Sequence, residues 1–269
     1  LVTAYIAAAV KAKVTLVEAH KMGGDCLNYG CVPSKALIKS AKLAHQIRHG
    51  RHYGLHDAAP AFSFRAVMAR VHAVIAGIEP HDSVERYTSL GVDVVQGYAK
   101  IVNPWTVEIA LPGGGKQALT TRSIVIAAGA QPFVPPLPGL SEVGYVTSDT
   151  LWDTFAKLDD IPRRLVVLGG GPIGCELAQS FARLGAQVTQ VEMAPRIMIR
   201  EDEEVSALAR GALEADGVTV LTGHKALRCE PSSEGKTLIV ASGGSEKRIV
   251  FDELVCAVGR GARLTGYVL

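Results

Sequence analysis

The sequence of 269 residues has little net charge, few aromatic residues and no long apolar run. Lys and Arg number 28 and Asp and Glu 26, so no strongly basic face for nucleic acid or an acidic membrane is expected. The longest apolar stretches, such as 1–10 and 124–130, are shorter than a membrane span. We therefore expect a soluble globular protein whose partners include neither nucleic acid nor a membrane.

Cysteine is also scarce, whereas glycine is abundant. Five cysteines are too few for a secreted fold held together by disulfides, and their odd number leaves at least one thiol unpaired within the chain. The 28 glycines and the 6% of aromatic residues favour an α/β architecture with tight turns between strands and helices. The length suits one large domain or two ordinary ones.

Both ends of the sequence interrupt a structural pattern. The chain opens without Met in an apolar helical pattern, and the β-branched run 13–18 that follows ends in Glu18. Residues 1–18 are therefore interpreted as the second half of a βαβ unit. The last predicted strand, 254–258, is followed only by the start of a loop. We expect the sequence to be an internal piece of a longer protein.

A proline-rich segment divides the chain. Residues 131–140 contain four prolines, which exclude a helix or a central strand and predict an extended connector. Before it, the pattern predicts helices over 34–49 and 64–90, with a break near Pro80, and strands over 92–96, 105–109 and 123–127. After it, strands over 164–168, 187–192 and 218–221 alternate with helices over 172–184 and 203–216, which predicts a parallel sheet. Three more strands are predicted over 238–241, 247–250 and 254–258.

A glycine-rich turn in the second part is typical of dinucleotide binding. Gly169, Gly171 and Gly174 lie between a strand and a helix with the spacing GxGxxG, and Glu192 ends the next strand. Glycines permit a tight turn and close approach of a pyrophosphate to the helix N-terminus, and the carboxylate accepts from a ribose 2′-hydroxyl. This acid favours NADH over NADPH. The alternative is an ordinary βαβ turn with incidental glycines.

Two cysteines lie at the start of a predicted helix. Cys26 and Cys31 are separated by four residues, and Gly30 relaxes the backbone enough to bring the two sulfurs within bonding range. The helix N-terminus and Lys35, one turn on, both favour a thiolate at Cys31. A buried inert cysteine and a zinc site are the alternatives, but nearby ligands at zinc spacing are not evident. The other three cysteines fall in helix or strand patterns and are interpreted as core residues.

The segment GGDCLNYGCVPSK resembles the redox signature of the class I pyridine nucleotide-disulfide oxidoreductases. Together with GGGPIGCELAQ and DSVERYTSLGVDVVQGYAKI, it is most similar to the mercuric-reductase-like and dihydrolipoamide-dehydrogenase-like branch. The resemblance implies a glutathione-reductase-like α/β fold with two Rossmann-like domains. These are a partial FAD-binding domain (1–144) that lacks the first glycine motif, an inserted NAD(P)-binding domain (145–259) and a return to the FAD domain (260–269). We expect the family's C-terminal dimerisation domain to be absent from this sequence.

The resemblance also implies roles for individual residues. Cys26 is the expected interchange thiol that meets the substrate, and Cys31 the charge-transfer thiol against the flavin. Lys35 is expected near the flavin, paired with Glu176. Ala128 stands where the family usually has Thr. The expected cofactor-binding residues are Glu18, Gly23, Gly24, Ala128, Gly129, Gly169, Gly171, Gly174, Glu192, Gly259 and Arg260.

The implied function is a relay of electrons. Hydride from NAD(P)H is expected to pass through FAD to the Cys26–Cys31 disulfide, and then to a small disulfide, a soft metal ion or another electron acceptor. No metal centre is expected, and the resemblance implies a cytoplasmic homodimer. Two alternatives stay open: a flavin enzyme that reduces oxygen or a quinone with a secondary dithiol, and a catalytically incomplete nucleotide-binding fragment.

Overall fold

The computed structural model describes residues 1–267, which form a mixed α/β fold. The helices are α1 Val2–Ala9, α2 Gly24–Asn28, α3 Cys31–Arg48, α4 Phe64–Ile78, α5 Val84–Ser89, α6 Leu140–Val143, α7 Leu151–Phe155, α8 Pro172–Arg183 and α9 Glu203–Ala215. The strands are β1 Val14–Glu18, β2 Val92–Gln96, β3 Tyr98–Asn103, β4 Thr106–Ala110, β5 Lys116–Thr120, β6 Ala130–Pro132, β7 Val146–Thr147, β8 Arg164–Leu168, β9 Gln187–Val191, β10 Thr219–Leu221, β11 Lys225–Ser232, β12 Gly235–Ser242, β13 Ser245–Phe251, β14 Glu253–Cys256 and β15 Arg260–Ala262.

A five-stranded parallel sheet carries the glycine-rich turn of residues 169–174. Its strand order is β10-β9-β8-β14-β7, and every neighbouring pair is parallel. Strand β8 is buried from Leu165 to Leu168, as expected for a central strand covered on both faces. Strand β8 and helix α8 begin at the residues predicted for them, and α8 ends one residue early. This agreement follows from the strong apolar patterns of both elements.

A separate three-stranded antiparallel sheet, β11-β12-β13, lies beside the parallel sheet. The predicted strands 238–241 and 247–250 are parts of β12 and β13, whereas the sequence did not indicate β11. Leu238 and Phe251 are fully buried and pack with Val166 and Leu254 of the parallel sheet. The apolar contact fixes the small sheet against the larger one.

The first part of the chain contains a parallel pair and an antiparallel meander. Strand β1 pairs with β2 in parallel, with Val14 opposite Val92, and β3, β4 and β5 form the meander. The predicted break near Pro80 is present, because a 3₁₀ turn over Glu79–Asp82 separates α4 from α5. Each of the helices α4 and α5 begins with a serine whose hydroxyl accepts from the backbone of its first turn.

The predicted strand over 123–127 is wrong. These residues have no regular structure, and Val125 and Ile126 are 65% and 48% exposed. A strand needs a neighbour for its backbone groups, and no described residue pairs with this segment. The next strand, β6, pairs instead with β15 at the start of the proline-rich connector, where Pro132 is tolerated at an edge.

One hydrophobic core joins the elements around the two predicted sites. It includes Leu37 of α3, Met68 of α4, Phe155 of α7 and Phe181 of α8, all fully buried. The ring of Phe181 packs on the edge of Phe155 at a centroid distance of 5.5 Å. Helices α3 and α8 are therefore held side by side by a shared apolar core. The domain bounds 1–144 and 145–259 stay a prediction.

Candidate functional site

The two cysteines lie on a short loop that the backbone closes tightly. Gly23 and Gly24 both have positive φ, at 84° and 57°, and helix α2 follows. The carbonyl oxygen of Asp25 then accepts hydrogen bonds from the Tyr29 N–H at 2.9 Å and the Gly30 N–H at 2.7 Å. Helix α3 begins at Cys31. Cys26 thus lies within α2, and Cys31 occupies the first turn of α3, where unpaired N–H groups favour negative charge.

The thiol of Cys31 acts on the pKa of the Cys26 thiol. Both cysteines are free thiols and both are exposed. A hydrogen bond between the two side chains raises the pKa of Cys26, and burial and the negative charge of Asp25 act in the same direction. Their pairing as a redox-active disulfide stays a prediction. Of the other cysteines, Cys229 and Cys256 are buried, and burial raises the pKa of both.

An ion pair connects α3, which begins at Cys31, to α8, which follows the glycine-rich turn. Nζ of Lys35 on α3 lies 2.8 Å from both carboxylate oxygens of Glu176 on α8. The lysine side chain is 59% exposed and that of the glutamate 38%. An exposed pair contributes little to stability, so its chief structural effect is to fix the ammonium group one turn from Cys31.

The glycine-rich turn has the close contacts that its spacing predicts. Gly169 has φ 117°, and a Cβ there would lie 2.3 Å from the carbonyl oxygen of Ala257. A Cβ at Gly174 would lie 2.3 Å from the carbonyl oxygen of Gly169. Gly171, at the N-cap of α8, faces open space, with nothing within 4 Å of an added Cβ. The two outer glycines close the turn, and the middle one leaves room above the helix N-terminus for a phosphate.

Glu192 lies immediately after β9, where the sequence places it, and its carboxylate closes the turn from the side. One oxygen accepts from the N–H of Gly170 at 2.6 Å, and the other accepts from the N–H of Ala194 at 2.7 Å. A Cβ at Gly170 would lie 2.9 Å from the Glu192 side chain, so glycine is needed there too. The carboxylate is half-buried and fixed at the edge of the open turn.

The residues expected on the flavin side are more dispersed. Glu18 ends β1, and its carboxylate accepts from the N–H of His20 at 2.8 Å. Ala128 and Gly129 are exposed in the irregular segment before β6, and Gly129 has φ 73°. No glycine precedes Gly23 in the sequence, so a glycine-rich turn comparable to 169–174 is not among the residues before β1.

Arg260 makes contacts that the sequence did not predict. Its guanidinium group donates to the side chains of Asp25, Ser148 and Asp149 and to the carbonyl oxygen of Ala130. Gly259, just before it, has φ 144° and open space around an added Cβ. Asp25 adjoins Cys26, so this arginine, 235 positions further along the chain, contacts the dithiol loop directly. Charge of opposite sign was the only sequence signal for this contact.

A second unpredicted contact joins the far ends of α3 and α8. Nδ1 of His45 lies 3.0 Å from a carboxylate oxygen of Asp216, and Arg183 holds the other oxygen at 2.9 Å. Burial lowers the pKa of His45, and this effect outweighs the attraction of Asp216. Helix α3 is therefore tied to Glu176 of α8 near one end and to Asp216, just after α9, near the other.

Neither a metal-binding cluster nor a membrane-spanning helix is found in the described part of the chain. Within residues 1–267 there is no cluster of three or more His, Cys, Asp or Glu side chains arranged to hold a metal ion. The helices of this range also include none that is both long enough and apolar enough to cross a membrane.

These features define a class of protein with a glycine-rich dinucleotide turn and a dithiol on adjoining helices. A family model described as pyridine nucleotide-disulphide oxidoreductase matches residues 1–267. The chain belongs to this family. The fold class expected from the sequence is therefore confirmed.

Individual relatives agree with this assignment. The chain is 35% identical over 266 residues to a dihydrolipoyl dehydrogenase of Thermus scotoductus, covering 94% of this chain and 53% of the relative. It is 33% identical over 254 residues to a mercuric reductase of Bacillus cereus, covering 94% of this chain and 39% of the relative. The chain thus spans about half the length of such relatives or less.

Solved structures with a similar fold include the HOCl-induced flavoprotein disulfide reductase RclA from Escherichia coli. That structure matches with a TM-score of 0.79 and 26% identity, covering 99% of this chain and 55% of RclA. LpdA from Mycobacterium tuberculosis matches with a TM-score of 0.83 at 22% identity, covering 98% of this chain and 57% of LpdA, and supports the fold alone.

Proposed function

We propose that the protein uses NAD(P)H and FAD to reduce a Cys26–Cys31 disulfide, and that the dithiol then reduces a small disulfide or a soft metal ion. The observation that carries the proposal is the position of the dithiol. Cys31 begins α3 and Cys26 lies in α2 just before it, and Lys35 on α3 is held by Glu176 beside the glycine-rich turn. NADH is favoured because Glu192 would repel a 2′-phosphate.

The residues present fit a nicotinamide dinucleotide. Gly171 leaves a cradle that a Cβ would fill, at the N-terminus of α8, and Glu192 supplies a carboxylate at its edge. For FAD, the chain supplies Glu18 at the end of β1 and Gly129 at a turn with positive φ. When bound, the two cofactors supply hydride transfer and a two-electron path to the disulfide.

The chain's own residues perform the thiol chemistry. The exposed Cys26 thiolate attacks a substrate disulfide, one substrate thiol leaves, and the Cys31 thiolate then releases the second. One substrate S–S bond is broken and one protein S–S bond formed, so two electrons pass to the substrate with two protons. The N-terminus of α3 and the Lys35 ammonium stabilise negative charge in this region. Glu176 holds Lys35 in place.

Counting thiols tests the proposal. One equivalent of NADH, added anaerobically to the oxidised and flavin-loaded protein, is expected to expose two thiols, which alkylation and peptide mass locate at Cys26 and Cys31. Cys229→Ser, a change at a buried cysteine, is the matched control and leaves the number at two. Oxidation of NADH without new thiols would instead support an enzyme that passes electrons to oxygen or a quinone.

The completeness of the glycine-rich turn favours a second candidate, a unit that binds nicotinamide dinucleotide without flavin chemistry. Its turn has all the close contacts described above, whereas Ala128 and Gly129, expected on the flavin side, are exposed in an irregular segment. A purified protein that binds NADH and stays colourless when supplied with FAD would favour this candidate. Yellow protein with bound flavin would favour the relay. The homodimer and the cytoplasmic location stay predictions.

A further inference from the structure

Arg260, at the start of β15, connects three segments around the dithiol loop. One terminal nitrogen of its guanidinium donates to Ser148 Oγ and Asp149 Oδ1, both at 2.8 Å. The other donates to Asp25 Oδ1 at 2.9 Å and to the carbonyl oxygen of Ala130 at 3.0 Å. The arginine side chain is only 18% exposed. A planar guanidinium held by four acceptors has little freedom to turn.

Asp25 links this arginine to both cysteines. Its carboxylate binds Arg260, while its backbone carbonyl oxygen accepts from the N–H groups of Tyr29 and Gly30 and so closes the turn between the two thiols. A Cβ at Gly30 would lie 3.2 Å from the same carbonyl oxygen, so the turn is tightly packed there. The residue that Arg260 fixes is therefore also the residue that sets the path of the chain from Cys26 to Cys31.

Asp25 and Arg260 together also set the charge next to Cys26. The negative charge of Asp25 raises the pKa of the Cys26 thiol, alongside the larger effects of the Cys31 hydrogen bond and of burial. The guanidinium of Arg260 is the positive group in contact with Asp25, and it also contacts Asp149. Removing the carboxylate should therefore lower the pKa of the Cys26 thiol, and removing the guanidinium should raise it.

We propose that Arg260 and Asp25 form a positioning pair for Cys26. Arg260 holds the Asp25 carboxylate in place and offsets its negative charge, which keeps Cys26 reactive towards a disulfide. This inference rests on the proposed function, in which Cys26 is the thiol that meets the substrate. Arg260 acts through Asp25 and is not itself a catalytic residue.

The pH dependence of Cys26 alkylation tests the pair. The fully reduced protein, without added nucleotide, is treated with iodoacetamide, and the Cys26 peptide is followed by mass spectrometry. Asp25→Asn keeps the shape of the side chain and is expected to lower the midpoint pH of the rate by about half a unit. Arg260→Gln is expected to raise it by a similar amount. The double variant should behave like Asp25→Asn, because the arginine then has no carboxylate to offset.

A matched control is Glu246→Gln, which removes a carboxylate of similar exposure from the Arg228 ion pair in the three-stranded sheet. It should leave the midpoint unchanged. The proposal is overturned if both single variants move the midpoint pH of alkylation in the same direction, or if Asp25→Asn leaves it unchanged. If Arg260→Gln does not fold, as judged by circular dichroism, the isosteric Asp25→Asn variant decides alone. Because this assay needs no flavin or NADH, its failure is distinct from failure of the thiol count after NADH.

Discussion

Alanine at Gly174, compared with alanine at Gly171, distinguishes a glycine that the turn needs for its structure from one that faces the proposed nucleotide. An Ala inside a helix is about 1 kcal/mol better than Gly by intrinsic preference. At this position, however, its Cβ would lie 2.3 Å from the carbonyl oxygen of Gly169 and 3.2 Å from the side-chain nitrogen of Gln190. The turn must shift to relieve that overlap, so we expect a net loss of about 1 to 3 kcal/mol in the free energy of unfolding.

Gly171→Ala is the matched control, because the two changes add the same methyl group three residues apart. Nothing lies within 4 Å of a Cβ at Gly171, and its φ of −76° suits alanine. Its stability should change by less than about 0.5 kcal/mol. Its methyl group enters the proposed phosphate cradle, so NADH affinity should fall by about tenfold or more.

Urea unfolding followed by the fluorescence of the buried Trp152 measures the stability change, and NADH fluorescence titration measures the affinity. The expected pattern is a large stability loss for Gly174→Ala and a selective affinity loss for Gly171→Ala. Equal stability of the two variants, or unchanged NADH affinity in a folded Gly171→Ala protein, would refute this reading of the turn.

Three further predictions follow from other contacts. In a double-mutant cycle with Lys35→Met and Glu176→Gln, urea unfolding should give a coupling of only about 0.5 kcal/mol, because the pair is exposed; a coupling several times larger would be inconsistent with that exposure. Burial lowers the folded-state pKa of His45, so the unfolded chain binds more protons and stability should fall as pH drops below about 6.5; thermal unfolding at pH 7 and pH 5 should show a smaller drop for His45→Gln. Phe181→Ala should cost about 3 to 5 kcal/mol in urea unfolding, since its ring is fully buried between Phe64 and Phe155; a loss below 1 kcal/mol would contradict that packing.

Local patterns made the strand and the helix on either side of the glycine-rich turn predictable. The run from Arg164 to Leu168 is continuously apolar after its first residue, and the helix after it has an apolar face, so both elements were predicted to within a residue. Helix α3 was predicted over 34–49 and begins three residues earlier, at Cys31, with Pro33 in its first turn. Signals of this kind lie within a few residues of the elements they specify.

Tertiary pairing decided the features that the sequence did not reveal. Residues 123–127 have the composition of a strand but find no neighbour among the described residues, whereas β11 forms despite containing Pro231 because β12 lies beside it. The contact between Asp25 and Arg260 joins residues 235 positions apart. Neither periodicity nor motif spacing carries information over such a separation.

The visible spectrum of the intact, flavin-loaded protein after anaerobic two-electron reduction tests the central claim most directly. If Cys31 at the start of α3 is the thiol next to the flavin, reduction of the unaltered protein produces a long-wavelength charge-transfer absorbance. Cys31→Ser should bind flavin normally and lose this absorbance, while Cys26→Ser should keep it. A band that persists in Cys31→Ser, or one that disappears only in Cys26→Ser, would contradict the account.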